Sequence, residues 1–321
     1  MKVLITGGAG FIGSHLVDAH LAKGDEVVVV DDLSTGRLGN IEAHVKAGKV
    51  RLLEGKAEDP AIIGPAFEGV DLVYHLAAAV GVFTILQHPL ASLRSNLDAS
   101  AAVFGWAAEK GVRTIFASTS EVYGKNEADG LTETDDTTYG ATAYSRWLYA
   151  VTKATDEFMA LAYYQERGLP VTAVRLFNTT GPRQTGAYGM VVPRFVRQAL
   201  SGQPLTVFGD GSQKRCFTNV RDVVAAMMAL ADTPQSIGLV VNVGNPREIS
   251  IRELAALVLR LTGSSSPIQL IDYSEAYGEG FEDMHRRVPN VDLLRSLVGF
   301  VPETPLEETI AEIAREAGAE G

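Results

Sequence analysis

The stretch SRWLYAVTKATDEF reads as a helix in which Tyr149 and Lys153 lie one turn apart, on one face. A lysine ammonium beside a phenol favours the phenolate, lowering a pKa that is about 10 when unperturbed. Such a phenolate can take the proton of an alcohol while hydride leaves the same carbon. Tyr-x-x-x-Lys is common by chance, and on its own it describes an exposed helix face. It gains weight only if the chain also binds a hydride acceptor.

The opening segment, KVLITGGAGFIGSHL, supplies that binding site. Gly7, Gly10 and Gly13 stand between a strand and a helix, where glycines allow a tight turn, close approach of a pyrophosphate and close helix–strand packing. The helix N-terminus then presents free N–H groups and a positive dipole end to the phosphates. The next apolar run, EVVVV, ends in Asp31–Asp32, near the spacing of about 20 residues at which an acid meets the adenosine ribose. Gly-x-x-Gly-x-x-Gly differs from the usual fingerprint, but loop, helix and acid together point to a dinucleotide. An acid there repels a 2′-phosphate, which favours NAD over NADP.

A third group is STSEVYGK, residues 118–125, where Glu121 follows three hydroxyls at the end of the apolar run RTIFA. Loop polarity would account for it. So would a site that needs a carboxylate where a buried strand meets an open edge.

These residues need elements to hold them. KVLIT (2–6), EVVVV (26–30), VRLL (50–53), DLVYHL (71–76), RTIFAS (113–118) and VTAVRLF (171–177) read as strands. Helix-length stretches at 13–23, 91–110 and 144–168 lie between several of them. This alternation predicts an α/β fold, a Rossmann-type doubly wound parallel sheet with helices on both faces. Nearly continuous apolar strands suit a sheet covered on both sides. After Phe177 the rhythm breaks at NTTGPRQTGAYGMVVP. The expected division is an NAD-binding domain over 1–177 and a smaller C-terminal α/β substrate domain over 178–321. A segment near 215–245, with LVVNVGN (239–245), is expected to return to the first sheet.

The length of 321 residues allows one large domain or two moderate ones, and 46% hydrophobic with 21% charged residues is ordinary for a globular protein. A net charge of -11 argues against nucleic acid as a partner and obliges an anionic substrate to find a local cluster of Arg or Lys. The single cysteine, Cys216, excludes an internal disulfide framework and fits a reducing compartment. Glycines interrupt the N-terminal apolar stretch, so no signal peptide is expected, and no run reaches the roughly 20 apolar residues of a membrane span. The expectation is a cytoplasmic protein without contact with a membrane.

TGGAGFIG, VYHLAA, STSEVYG, YAVTK, RLFNTTGPR and FGDGSQKRCFTNVRDV follow the order of motifs in the extended short-chain dehydrogenase/reductase family, and the resemblance covers nearly the whole chain. It implies NAD as cofactor, a nucleotide sugar as substrate, and a homodimer in which two helices per subunit form a four-helix bundle. It implies cofactor contacts at Gly7, Gly10, Phe11, Ile12, Gly13, Asp31, Asp32, Leu76, Ala77 and Ala78. Tyr149 would be the base, Lys153 would support it and hold the nicotinamide ribose, and Thr119 would hydrogen-bond the sugar 4-hydroxyl. Asn178 and Arg215 sit on motifs that contact the nucleotide diphosphate. No metal is called for. Where relatives carry an aspartate that reads adenine, EGKAED has Lys56, leaving the Ala57 backbone or Glu58 as substitutes.

Within this family the residues before VYG separate chemistries. Sugar 4,6-dehydratases have Asp–Glu there, and many 4-epimerases have no carboxylate. Ser120–Glu121 resembles the UDP-glucuronate decarboxylases, as do RWLY with Arg146, QKRCFTNVRD and NVGNP. The C-terminal EDMHRRVPNVDLLRSLVGFVPETPLEETI resembles their segment in which an arginine two residues before proline enters the active site; here that is Arg287, beside Arg286. The chemistry implied is oxidation of a glucuronate at C4 to a β-keto acid, which loses its C6 carboxylate as carbon dioxide. A cation would hold the carboxylate, and donors would stabilise the developing enolate. Glu121 would either orient the ring or manage protonation at C5. The product would be UDP-xylose or a UDP-4-keto-pentose. Two other readings share the fold: a UDP-sugar 4-epimerase, acting on UDP-glucose and UDP-galactose or on the two uronates, and a non-catalytic NAD sensor.

Overall fold

The computed structural model describes residues 1–79, 89–126, 128–186, 190–272, 275, 284 and 286–319. Seven strands form one sheet: β1 (Lys2–Thr6), β2 (Glu26–Asp31), β3 (Val50–Glu54), β4 (Leu72–His75), β5 (Arg113–Thr119), β6 (Val171–Leu176) and, far along the chain, Val240–Val243. That last strand is β11, because the short strands β7 (Thr179–Thr180), β8 (Leu205–Phe208), β9 (Lys214–Cys216) and β10 (Thr218–Asn219) precede it. The spatial order is β11-β6-β5-β4-β1-β2-β3, and every neighbouring pair is parallel. LVVNVGN thus returns to the first sheet, pairing Val240 with Ala173 and Val243 with Leu176.

The strands read as unbroken apolar runs because both of their faces are covered. Val3, Ile5, Val27 and Val29 point into one core with Leu16 of α1 (Phe11–Ala22) and, from later in the chain, Met227 and Leu294. Leu4, Val28, Val73 and Phe116 point the other way. They meet Ile63 of α3 (Pro60–Ala66), Phe104 of α4 (Pro89–Lys110) and Ala160 of α5 (Leu148–Arg167), with the short α2 (Glu42–Lys46) lying earlier in the chain. The remaining helices are α6 (Val191–Leu200), α7 (Val220–Ala231), α8 (Ile251–Thr262), α9 (Asp292–Val298) and α10 (Leu306–Ala319). Met227 belongs to α7 and Leu294 to α9, so two late helices cover the first sheet. A separate core joins α6, α8, α10 and β8 through Phe195, Leu254, Val258, Ile310 and Val207. Among the described residues no helix is long and apolar enough to cross a membrane.

Helix ends differ slightly from the sequence reading. α5 starts at Leu148, after a single 3-10 turn over Ser145–Trp147, and stops where Gly168 turns left-handed at φ 69°. Parallel strands bring all their C-terminal ends to one edge. Strand order reverses around β1, and at such a switch point the crevice beyond the strand ends is open for a ligand.

Candidate active site

A cavity of about 560 Å³ opens at that edge, and every residue singled out for cofactor, catalysis or substrate lines it. Gly7, Gly10, Phe11, Ile12 and Gly13 form its floor between β1 and α1. Gly7 is left-handed at φ 73°, and a Cβ there would stand 2.9 Å from the Ala77 nitrogen. A Cβ on Gly13 would run into the Gly7 carbonyl. Gly10 precedes α1 with no capping side chain, so the first turn of the helix lines the cavity with its backbone. A cradle of this shape, where side chains would fill the space, fits the pyrophosphate of a dinucleotide.

Asp31 ends β2 beside the cradle and is buried. Its carboxylate accepts N–H groups from Ala9 and Leu33, both at 2.9 Å, so it ties the glycine loop to the turn after β2. Burial pushes its pKa up, and the two backbone donors oppose that. Two acceptor bonds leave lone pairs of the carboxylate available to ribose hydroxyls. Asp32 is exposed and accepts the amide and hydroxyl of Ser34. Leu76, Ala77 and Ala78 follow β4 on the opposite wall. Lys56 and Glu58 both line the cavity beyond β3, their charges 3.5 Å apart, with Ala57 buried between them.

The reacting end lies where β5 meets α5. Thr119 closes β5, and its hydroxyl accepts the Glu121 N–H at 3.2 Å, capping the 3-10 turn Ser120–Tyr123. Tyr149 and Lys153 reach the cavity from the first turns of α5. The structure corrects one expectation here. Burial, then the charges of Glu121 and Asp156, raise the Tyr149 phenol; a hydrogen bond from Thr119 and the charge of Arg287 oppose them less strongly. The net shift is therefore opposite to the lowering that the sequence suggested, and the Lys153 ammonium itself stands 3.7 Å from the Asp156 carboxylate.

Glu121 sits between two guanidiniums. Arg146 donates to one carboxylate oxygen at 2.7 Å, and Arg287 donates to the other at 2.5 Å. Burial alone would raise its pKa, but the two arginines hold it well below the usual carboxylate range. Arg287 is itself buried, and its second nitrogen donates to Asn178 Oδ1 at 2.8 Å. Asn178 is strained at φ 31°, and its amide nitrogen donates to the Cys216 carbonyl at 2.8 Å. Arg215, on β9, lines the same wall and donates to the Lys214 carbonyl at 2.9 Å. Arg286 points elsewhere: it donates to Glu248 at 2.6 Å and pairs with Asp129, anchoring its chain segment from outside while Arg287 enters the cavity. Two guanidiniums against one carboxylate leave a net positive charge, the local cation that an acidic chain needs to hold an anionic substrate.

Sequence reading missed two things. Arg146 was noticed only within RWLY, not as a partner of Glu121; a buried Arg one turn before the tyrosine was the available signal. Behind the site, Glu157 takes hydrogen bonds from Ser118 and from two nitrogens of Arg175, whereas its neighbour Asp156 is equally buried without that support. Acid–acid in an amphipathic helix hinted at this but did not say which face each acid took.

The profile of the NAD dependent epimerase/dehydratase family matches residues 3–244, three quarters of the chain. The chain belongs to that family. This NAD-dependent family member is 39% identical over 312 residues to the UDP-N-acetyl-alpha-D-glucosaminuronate decarboxylase of Bacillus cytotoxicus, covering 97% of this chain and 96% of the relative. It is 36% identical to UDP-glucuronic acid decarboxylase 1 of Xenopus tropicalis over 96% of this chain and 70% of the relative. Among solved structures, a UDP-glucuronic acid 4-epimerase from Bacillus cereus in complex with UDP-glucuronic acid and NAD superposes with TM-score 0.90 at 25% identity, covering 100% of both chains. Epimerase/dehydratase family members therefore share this backbone across different reactions, and the side chains have to distinguish them.

Proposed function

We propose that the protein is an NAD-dependent decarboxylase of a UDP-hexuronate, with UDP-glucuronate as substrate and UDP-xylose or a UDP-4-keto-pentose as product. The observation that carries this reading is the Arg146–Glu121–Arg287 cluster opening onto the same cavity as Tyr149 and Lys153. A 4-epimerase of a neutral sugar gives such a cluster no task, and one of a uronate asks it only to hold the C6 carboxylate. A decarboxylase must bind a carboxylate at C6 and stabilise charge as it leaves.

In this reading the Tyr149 oxygen takes the proton of the C4 hydroxyl, with Thr119 holding that hydroxyl in reach. Bound NAD supplies the hydride acceptor and, as a cation, favours the phenolate. Lys153 holds the nicotinamide ribose. The resulting ketone lies β to the C6 carboxylate, so the C5–C6 bond can break with its electron pair moving toward the C4 oxygen. Carbon dioxide leaves, and the enolate is protonated at C5. The C4 ketone is then either released as the 4-keto-pentose or reduced to UDP-xylose by the hydride taken in the first step, with Tyr149 returning the proton. Arg287 holds the carboxylate before it leaves, exchanging part of its bond to Glu121 for one to the substrate. Glu121, fixed as an anion by two arginines, is a poor proton donor, and its task is to aim both guanidiniums. Asn178 orients Arg287 through its side-chain oxygen. Arg215 would bind the nucleotide diphosphate.

Names of relatives support a uronate as substrate and leave C2 open between a hydroxyl and an acetamido group. The experiment is to incubate the purified protein with NAD and each of these two UDP-uronates and read product masses. Loss of carbon dioxide from either supports the reading, and from UDP-glucuronate the specific form of it. A change of configuration with mass retained would make the protein an epimerase.

A further inference from the structure

The mechanism above gives no task to the buried charge beside Lys153. Asp156 lies three residues beyond Lys153 on α5; its side chain is 0% exposed and that of Lys153 3% exposed. Neither oxygen of its carboxylate makes a hydrogen bond of ordinary geometry among the described residues, although the Ser100 hydroxyl faces it. A buried carboxylate without hydrogen bonds costs several kcal/mol unless a charge compensates it. The nearest compensating group is the Lys153 ammonium at 3.7 Å, too far for a hydrogen bond but close enough for a strong charge interaction in a dry site.

Among the described residues the surroundings offer no other cation for it. Glu157, the next residue, is already satisfied by Arg175 of β6 and Ser118 of β5. His75 of β4 is kept neutral by burial and by the Lys153 charge, and hydrogen-bonds Thr6 and Ser100. From α4 the facing group is Ser100, uncharged. The Phe116 ring of β5 lies 4.6 Å from the ammonium. Glu121, whose charge also acts on Tyr149, is taken up by Arg146 and Arg287. Lys153 thus lines the same cavity as the Tyr149 phenol, one helical turn away, and stands against a carboxylate that competes for its charge.

We propose that Asp156 is the buried counter-ion of Lys153, drawing its charge away from the Tyr149 hydroxyl and so setting the pH range in which that hydroxyl acts as a base. Asp156 touches neither substrate nor cofactor in this account; it is a positioning residue that acts through Lys153. The inference rests on Tyr149 and Lys153 being the acid–base pair. Its sign follows from charge. With Asp156 ionised, a negative charge stands near the phenol and phenolate forms at higher pH. Removing it lets phenolate form at lower pH. It also leaves the Lys153 ammonium without a counter-ion, so the lysine loses its proton at lower pH too.

The test is Asp156→Asn, which keeps size and shape, with Asp156→Glu to restore the charge. Tyrosinate absorbance is titrated in the NAD-loaded protein, using Tyr149→Phe as the blank, so that the readout needs no turnover. The Tyr149 midpoint should fall by about one pH unit in Asp156→Asn and return toward the parent value in Asp156→Glu. In turnover, both limbs of the kcat–pH profile should move to lower pH, whereas a purely structural role would lower kcat without moving either limb. A Tyr149 midpoint that stays fixed or rises in folded, NAD-binding Asp156→Asn overturns the inference. Absence of carbon dioxide release with an intact titration shift would instead overturn the decarboxylase reading alone.

Discussion

Asp31 holds its carboxylate between two backbone N–H groups beside the glycine loop, buried and tied in place. Bringing a 2′-phosphate against it costs several kcal/mol, so NADP should bind roughly 100-fold or more weakly than NAD. Titration of both cofactors by calorimetry checks this, and equal affinities would remove Asp31 from the ribose site. Asp31→Ala should weaken NAD as well, because it also frees the glycine loop from the turn after β2. At the reacting end, Tyr149→Phe should abolish turnover while NAD binding persists. The raised Tyr149 pKa also has a sign: its base form fills as pH rises, so initial rates should climb with pH on the acid side of the optimum.

Helices α4 and α5 pack against each other over the sheet, yet α5 leaves Phe158 74% and Val151 41% exposed, and α4 leaves Leu90 67% exposed. Val151 and Phe158, two turns apart, share one face of α5, and exposed large apolar side chains on one face mark an interaction site. We propose that a second copy covers them, forming the four-helix bundle that the family resemblance implies. Phe158→Asp should convert a dimer into monomers by light scattering at micromolar concentration with little loss of thermal stability; a monomeric parent protein would refute the proposal. At this scale the sequence was informative where signals are local. Six of the strands, the glycine turn and the Tyr149–Lys153 face were readable because apolar runs, glycine freedom and helical spacing act within a few residues. Contacts across the chain were not. Arg287 meets Glu121 from 166 positions away, and only resemblance suggested it. Arg146 sits in the turn before α5 and Asp156 on α5 itself, and their partners depend on how that segment is rotated against β5, which spacing leaves undetermined.

Across the whole molecule, acid should be destabilising through its buried imidazoles. Burial lowers the pKa of His15, His20 and His75, the last to about 3. In the unfolded chain they take up protons near their ordinary value of about 6.5. Between that value and the folded ones, the unfolded state binds more protons, so stability falls as pH falls. Melting temperature should therefore drop from about pH 7 to about pH 5. His75→Gln should flatten that slope; an unchanged slope would mean that His75 is not the buried neutral group described.

The molecule carries a net charge of -11 yet keeps a net cation where Glu121 is held by Arg146 and Arg287, and the account depends on what that cation binds. The most direct measurement uses UDP-glucuronate isotopically labelled at C6 and follows labelled carbon dioxide from the parent protein, Arg287→Ala and Glu121→Gln. The parent should release the label. Arg287→Ala should release it about 100-fold more slowly or worse, the scale of losing one transition-state donor, while still binding NAD. Glu121→Gln should also slow release. Label retained in a C4 epimer, formed at rates indifferent to both substitutions, would contradict the account.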